Sequence, residues 1–429
     1  MEVKEELFKN LGGTPQEIYD KLADAVGEET AWSLLGEAID YCRREGTLNP
    51  AESEELVAEQ KTPFHVTVNR EAFIDTLAGL PYEKKTALPI LSCIVIEGIA
   101  GSYFGSLQLW GTDLELFGKV LFPKCDVHSG GSVCVSYTKL IGVLKNLDVE
   151  EVELKQEGDS LVVRWEEGEY KIPTVSISDF PAFPNPAVIR KKKLEIPVPV
   201  FIEGVKSVAY AVAKDDSRLS LQTVHIRVIG DELHFVGSDG HRLVLKKYRD
   251  LQGLEDGFSV NLPPKSTRYI EKMAEGGTVI VEQALNFIKI GATTGTLWIR
   301  EVEGEYPDYL SVIPTSFECE AEVSVSKLSN VLKRIISFMS VNLGVKFSVS
   351  QSQGTLRIFF EDQEEGSGEE RVEVVSAHGE MEVGFNPKYL LDFLKGTKAE
   401  TVRVKFTSPD TAAVLESGEA TYVVMPMRI

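Results

Sequence analysis

The chain has 429 residues, enough for about three domains of ordinary size, and its 43% apolar and 26% charged residues are those of a globular protein. A formal net charge of −21, taken alone, argues against nucleic acid as a partner, but the charge is unevenly placed along the chain. No apolar run predicts a membrane span, the acidic start MEVKEELFKN lacks the apolar core of a secretory signal, and the five cysteines (Cys42, Cys93, Cys125, Cys134, Cys319) form no C-x-x-C pair, so neither a zinc site nor a disulfide framework is expected and a cytoplasmic setting is.

The first segment is helical in pattern and strongly acidic. In TPQEIYDKLADAVG, Thr14 reads as an N-cap, Pro15 as the first helical position and Glu17 as the partner in a capping box. Ile18, Leu22, Ala25 and Val26 share one face, and Gly27 stops the helix. EETAWSLLGEAIDYCRREG continues the pattern, and NPAESEELVAEQ repeats the cap-then-proline start at Asn49 and Pro50. Residues 1–60 hold 15 Asp/Glu against 5 Lys/Arg, so almost half of the net acidity sits in one-seventh of the chain.

From PFHVTV onward the chain repeats itself. FHVTVNREAFIDTL, LEIPVPVFIEGV and AEVSVSKLSNVL each pass from an alternating strand into an amphipathic helix. A second strand-to-helix unit recurs as VCVSYTKLIGVLKNL, FSVNLPPKSTRYIEKM and MEVGFNPKYLLDFLKG. Both markers give a period near 125 residues, with short strands and turns between the helices. The expected fold class is α+β: three similar domains over 63–190, 191–316 and 317–429, each with two helices and an antiparallel sheet, behind an all-α extension over 1–62.

The six predicted repeat helices (69–80, 136–147, 200–213, 264–273, 326–339, 387–398) carry 13 Lys/Arg against 5 Asp/Glu. A solvated helix face accounts for lysines but not for the scarcity of acids on these helices alone. A shared basic surface on an acidic protein suits a polyanion held through its phosphates.

SDGHRL (238–243) places Asp239 two residues before His241, between runs rich in β-formers. Asp-Gly there predicts a hairpin tip with a type I′ turn. An acid–base pair in an active site is the alternative, and it would need a nucleophile or metal partner. None is visible: the chain has no phosphate-binding loop, no G-x-G-x-x-G before a helix, no H-E-x-x-H and no G-x-S-x-G. His225 and His234 fall on predicted strands and read as satisfied structural histidines. The expectation is a non-catalytic binding protein without cofactor or metal.

TALPILSCIVIEG (86–98), GTDLEL (111–116), SDGHRL, EGEYPDYLSVIP (303–314) and YVVMPMRI (422–429) together resemble the bacterial DNA polymerase III beta subunits, the sliding clamps, in order from about residue 64 to 429. Residues 1–60 have no counterpart in that pattern. The resemblance implies half of a head-to-tail homodimeric ring, with helices lining the hole and sheets outside, threaded by duplex DNA without sequence preference. It implies that polymerase, clamp loader and repair proteins dock through short peptides in a pocket formed by Leu221, Ser238, Gly240, His241, Arg242, Leu243, Pro307, Val312, Val414, Val424, Met425, Pro426, Met427 and Arg428. Together with the basic helices it places Lys85, Lys139, Lys145, Lys206, Lys214, Lys265, Arg268, Lys272, Lys333, Arg334, Lys388 and Lys395 toward DNA. For the dimer it implies Tyr170 and Ile172 of one protomer against Ile335, Ile336 and Phe338 of its partner. Two positions depart from the family pattern: Ser311 stands where a basic residue is common, and Leu219 and Ser220 where an aromatic pair is common. The alternative reading is a repeat-built protein-binding scaffold that does not act on DNA.

Overall fold

Alternation decides the first element: in HVTVN, Val66 and Val68 turn inward while their neighbours do not, which is the pattern of a half-buried strand. The computed structural model describes residues 63–99, 105–184, 192–274, 276–338, 344–362 and 366–428, together with Lys21. The helices predicted over residues 1–60 lie outside the described residues. The chain forms two units, Met1–Phe183 and Pro184–Ile429.

In the first unit, strand β1 (His65–Asn69) runs into helix α1 (Arg70–Leu77). Asn69 caps that helix, its side-chain oxygen accepting from the Ala72 N–H at 3.1 Å. Four strands follow: β2 (Cys93–Ile99), β3 (Gly105–Thr112), β4 (Leu116–Ser129) and β5 (Gly131–Ser136). Helix α2 (Tyr137–Lys145) and strands β6 (Glu151–Glu157), β7 (Ser160–Trp165) and β8 (Gly168–Val175) complete the unit. All pairings are antiparallel and form a closed circuit, β1-β6-β7-β8-β5-β2-β3-β4 and back to β1. The two helices pack together through a face that buries Phe73, Leu77, Leu140 and Leu144.

The second unit plays the same order twice more. Its first half runs β9 (Lys193–Pro197), α3 (Val198–Val208), β10 (Val224–Ile229), β11 (Glu232–Ser238), β12 (Arg242–Tyr248), β13 (Ser259–Leu262), α4 (Thr267–Met273), β14 (Thr278–Ala284), β15 (Phe287–Gly291) and β16 (Gly295–Arg300). Its second half runs β17 (Cys319–Ser324), α5 (Val325–Phe338), β18 (Val345–Ser350), β19 (Thr355–Asp362), β20 (Gly366–His378), β21 (Glu380–Phe385), α6 (Pro387–Gly396), β22 (Thr401–Phe406), β23 (Ala413–Ser417) and β24 (Ala420–Val424). One strand, a helix, four strands, a helix and three strands thus occur three times along the chain. The α+β class with two helices per repeat, expected from the sequence, is the fold observed.

The helix predicted over 200–213 is shorter, because after Val208 the backbone tightens into a 3-10 turn at Ala209–Ala211. The two halves of the second unit share a sheet. Strand β12 pairs with β24, from Arg242 opposite Val424 to Lys246 opposite Ala420. That seam carries the site described next.

Candidate functional site

The hairpin tip sits where it was expected, but its turn differs. Asp239, Gly240 and His241 form the loop between β11 and β12, and of the three only Gly240 has positive φ, +83°. A type I′ turn needs positive φ at both central residues, so the loop is not one. The Asp239 side chain supplies the order instead. Its Oδ1 accepts from the backbone N–H groups of His241 and Arg242, each at 3.0 Å, and the Ser238 hydroxyl donates to the Arg242 carbonyl at 2.8 Å. Asp239 Oδ2 accepts from Arg242 Nε at 3.0 Å, so both carboxylate oxygens serve the hairpin.

Beside this loop opens a cleft of about 210 Å³. Four pieces wall it: the hairpin, the Arg218–Leu221 segment, the connection Tyr306–Val312, and the end of β24. Leu221, Ser238, Gly240, His241, Arg242, Leu243, Pro307, Val312 and Met425, all expected at the site, line it. Leu243, Tyr309, Val414 and Val423 belong to one buried cluster beneath it, with Val236 and Leu245. Val312 and Met425 are roughly half exposed (54% and 47%), so the rim offers apolar surface to solvent.

Four expected residues lie elsewhere. Val424 is displaced by one position: Val423 lines the cleft, and strand alternation turns Val424 to the other side of the sheet, where Tyr422 stacks on Phe393 at 4.8 Å. Pro426, Met427 and Arg428 are not among the lining residues, and the Met427 N–H donates to the Gly384 carbonyl at 2.8 Å. Sequence reasoning also missed Arg218, Tyr306, Asp308, Tyr309 and Val423 as lining residues. Tyr306, Asp308 and Tyr309 flank Pro307 in a motif already singled out, so their aromatic and acidic character was the available signal.

Arg242 lines the cleft, but its guanidinium is committed to the protein. Nη1 donates to Asp392 Oδ2 at 2.9 Å, Nη2 to the Tyr210 carbonyl at 2.8 Å, and the group lies 4.4 Å from the Tyr389 ring centre. A residue expected at the site thus also joins the hairpin to α6. His241 is exposed, and its carbonyl accepts from the Met425 N–H at 2.9 Å. Arg218 makes a bidentate contact with Asp216 (3.1 and 3.0 Å), which holds that carboxyl down at about 2.

The aromatic wall has histidine supports. Tyr306 stacks on His225 at 4.4 Å, and the Tyr309 hydroxyl bonds His234 Nδ1 at 2.7 Å. Both histidines are buried, and burial lowers both, His225 to about 4. This matches the reading of satisfied structural histidines. Among the described residues no group of three His, Cys, Asp or Glu side chains could hold a metal ion.

Comparison with known proteins agrees with the fold. Residues 64–184, 195–308 and 310–428 match, in order, the N-terminal, central and C-terminal domains of the DNA polymerase III beta subunit. The chain belongs to the bacterial sliding clamp family. A beta sliding clamp of Salmonella typhimurium is 29% identical over 85% of this chain and 99% of its own length, and one of Synechocystis 27% identical over 80% and 93%. Among solved structures, a sliding clamp of Pseudomonas aeruginosa bound to griselimycin matches with a TM-score of 0.78 at 25% identity, covering 86% of this chain and 100% of that one. A DNA polymerase III beta subunit of Thermotoga maritima gives 0.77 at 25% identity, covering 85% and 100%. The family is a non-catalytic processivity factor, and the chain is a DNA sliding clamp of DNA polymerase III.

The cations expected to face DNA in this clamp differ in their surroundings. Lys206 pairs with Glu271 at 2.8 Å, Arg334 with Glu370 at 2.9 Å and Lys395 with Asp392 at 3.6 Å, so these three already have internal counter-charges. Lys85, Lys139, Lys145, Lys214, Lys272, Lys333 and Lys388 are exposed, Lys265 is half-buried, and exposed Arg268 lies over the Tyr269 ring.

Two residues expected at the clamp's dimer contact are corrected. Ile172 and Ile335 are 3% and 4% exposed, their side chains packed inside their own domains. Tyr170 and Phe338 are 57% and 58% exposed, and Ile336 is half-buried. On α5 the buried face is Leu328, Val331, Leu332 and Ile335, which leaves Phe338 one turn on at the helix end.

Proposed function

We propose that this clamp works as one half of a head-to-tail homodimeric ring around duplex DNA, and that its cleft holds short peptides of the polymerase catalytic subunit, the clamp loader and repair proteins. The observation that carries this reading is the cleft itself: an apolar floor, an exposed apolar rim and a few fixed polar groups. That is the surface on which extended peptides with apolar anchors dock. Met425 at the rim suits a site with several partners, because a thioether side chain repacks at low cost. The exposed helix cations support sequence-independent contact with phosphates, and exposed Tyr170 and Phe338 support a contact between protomers. The division into an extension over 1–62 and domains over 63–190, 191–316 and 317–429 belongs to the same proposal.

The test is topological. Sedimentation should give a dimer, and clamp loaded on nicked circular DNA should stay bound until the circle is cut, then slide off. A monomer, or equal release from circular and linear DNA, overturns the ring. Calorimetry with the polymerase's clamp-binding peptide checks the cleft, and undiminished affinity after removal of Met425–Ile429 overturns that part.

A further inference from the structure

The cleft wall has an unusual construction. Residues 301–318, between β16 and β17, form neither helix nor strand, so no sheet ladder fixes their position. Backbone hydrogen bonds tie the two ends of the segment, Glu301 N–H to the Asn286 carbonyl at 3.0 Å and Glu318 N–H to the Phe406 carbonyl at 2.9 Å, and between them the wall residues Tyr306 and Tyr309 are both held by histidines of the preceding domain. His225 on β10 and His234 on β11 are diagonal neighbours, since His225 faces Val236 and Arg227 faces His234 across the strand pair.

The protons at His234 are determined by its partners. Nε2 lies 2.8 Å from Glu232 Oε2. Glu232 also takes Lys247 Nζ at 2.9 Å and Arg249 Nε at 2.7 Å, and these contacts, that of His234 first among them, hold its carboxyl at about 2. An ionised carboxylate only accepts, so Nε2 carries the proton. Burial opposes a second proton on the ring, and Lys247 and Arg227, which lie across from His234 on either side, add to it; together they outweigh the pull of Glu232. Nδ1 is then a lone-pair acceptor, and the Tyr309 hydroxyl donates to it at 2.7 Å. Tyr309 itself is 2% exposed and belongs to the cluster under the cleft.

We propose that His234 is a positioning residue of the peptide cleft: Glu232 fixes its tautomer, its Nδ1 anchors the Tyr309 hydroxyl, and the irregular wall is thereby held in place to receive a ligand, with His225 bracing Tyr306 beside it. The inference rests on the reading of the cleft as a peptide site.

Two measurements test it separately. Nitrogen-15 NMR of the imidazoles at pH 7 should show His234 protonated at Nε2 and bare at Nδ1. The opposite tautomer, or a doubly protonated ring, overturns the anchor whether or not peptide binds. Fluorescence anisotropy with the polymerase's clamp-binding peptide should then show about tenfold weaker binding for His234→Leu, the loss of one anchoring hydrogen bond. His234→Asn, whose side-chain oxygen can stand near Nδ1, should recover most of that loss. Tyr309→Phe should weaken binding to a similar degree, and adding His234→Leu to it should change little further. Wild-type affinity in His234→Leu, or losses that multiply in the double variant, overturn the proposal while leaving the cleft reading intact. No peptide binding by the wild type overturns the cleft reading itself. Should His234→Leu fail to fold, the comparison of His234→Asn with Tyr309→Phe decides the same question.

Discussion

Replacing Arg242 with alanine tests the seam between the two halves of the second unit. The guanidinium makes hydrogen bonds to Asp239, Asp392 and the Tyr210 carbonyl, and its side chain is only 10% exposed. Removing one member of a buried ion pair typically costs 3–5 kcal/mol, because the partner is left buried and unpaired. Here Asp392 is 36% exposed and regains water, while Asp239 is 17% exposed and regains less, so the cost should fall at the low end, about 3 kcal/mol. A domain pair of this size loses about 2–4 °C per kcal/mol, which gives a fall in melting temperature of about 6–12 °C. Arg242→Lys should be nearly as damaging, because an ammonium cannot satisfy three partners in a planar fork. Differential scanning calorimetry reads the result. A fall below about 2 °C for Arg242→Ala would refute the argument that this side chain joins the hairpin to α6.

Acid should destabilise the clamp through His225. Its value drops from an ordinary 6.5 to about 4 on burial, so the unfolded chain takes up a proton first as pH falls. The stability it contributes is fully present above pH 6.5 and is lost by about pH 4, a change of about 3 kcal/mol, and His225→Asn should flatten that part of a urea-midpoint-against-pH curve. Changing Lys265, Arg268 and Lys272 to Glu should reduce DNA retention most at low salt and flatten its salt dependence. Lys206→Ala should do little, because Glu271 already neutralises it; a loss as large as the triple variant's would contradict that pairing. Phe338→Asp should yield a folded monomer by sedimentation, whereas Ile335→Asp should unfold its domain, since Ile335 is core. A dimer in the first variant would remove Phe338 from the contact.

Much of this fold was legible because each repeat states its helices twice, as strand-to-helix transitions with apolar residues at helical spacing. The cleft was legible as a set of motifs, and nine of its lining side chains were expected. The misses have physical causes. At Asp239 a side-chain oxygen replaced a second positive φ, which residue type alone does not reveal. At Val423 and Val424 an apolar pair on a strand gives no parity, and one position reverses the face. Ile335 and Phe338 are both apolar near the end of one helix, and only packing separates core from surface. Tyr309 escaped because its role depends on His234, a partner far away in sequence and adjacent only in the fold.

The pairing of β12 with β24 has a consequence for synthesis. Arg242 must wait for Val424, and every residue of the intervening domain, before the seam can close. A nascent chain that has emerged as far as β22 already owns the hairpin but lacks the strand that completes the cleft, and β12 presents a bare edge. Under the proposed function, docking at this cleft therefore follows the third repeat's folding in time, because a chain that lacks β24 has not completed the cleft.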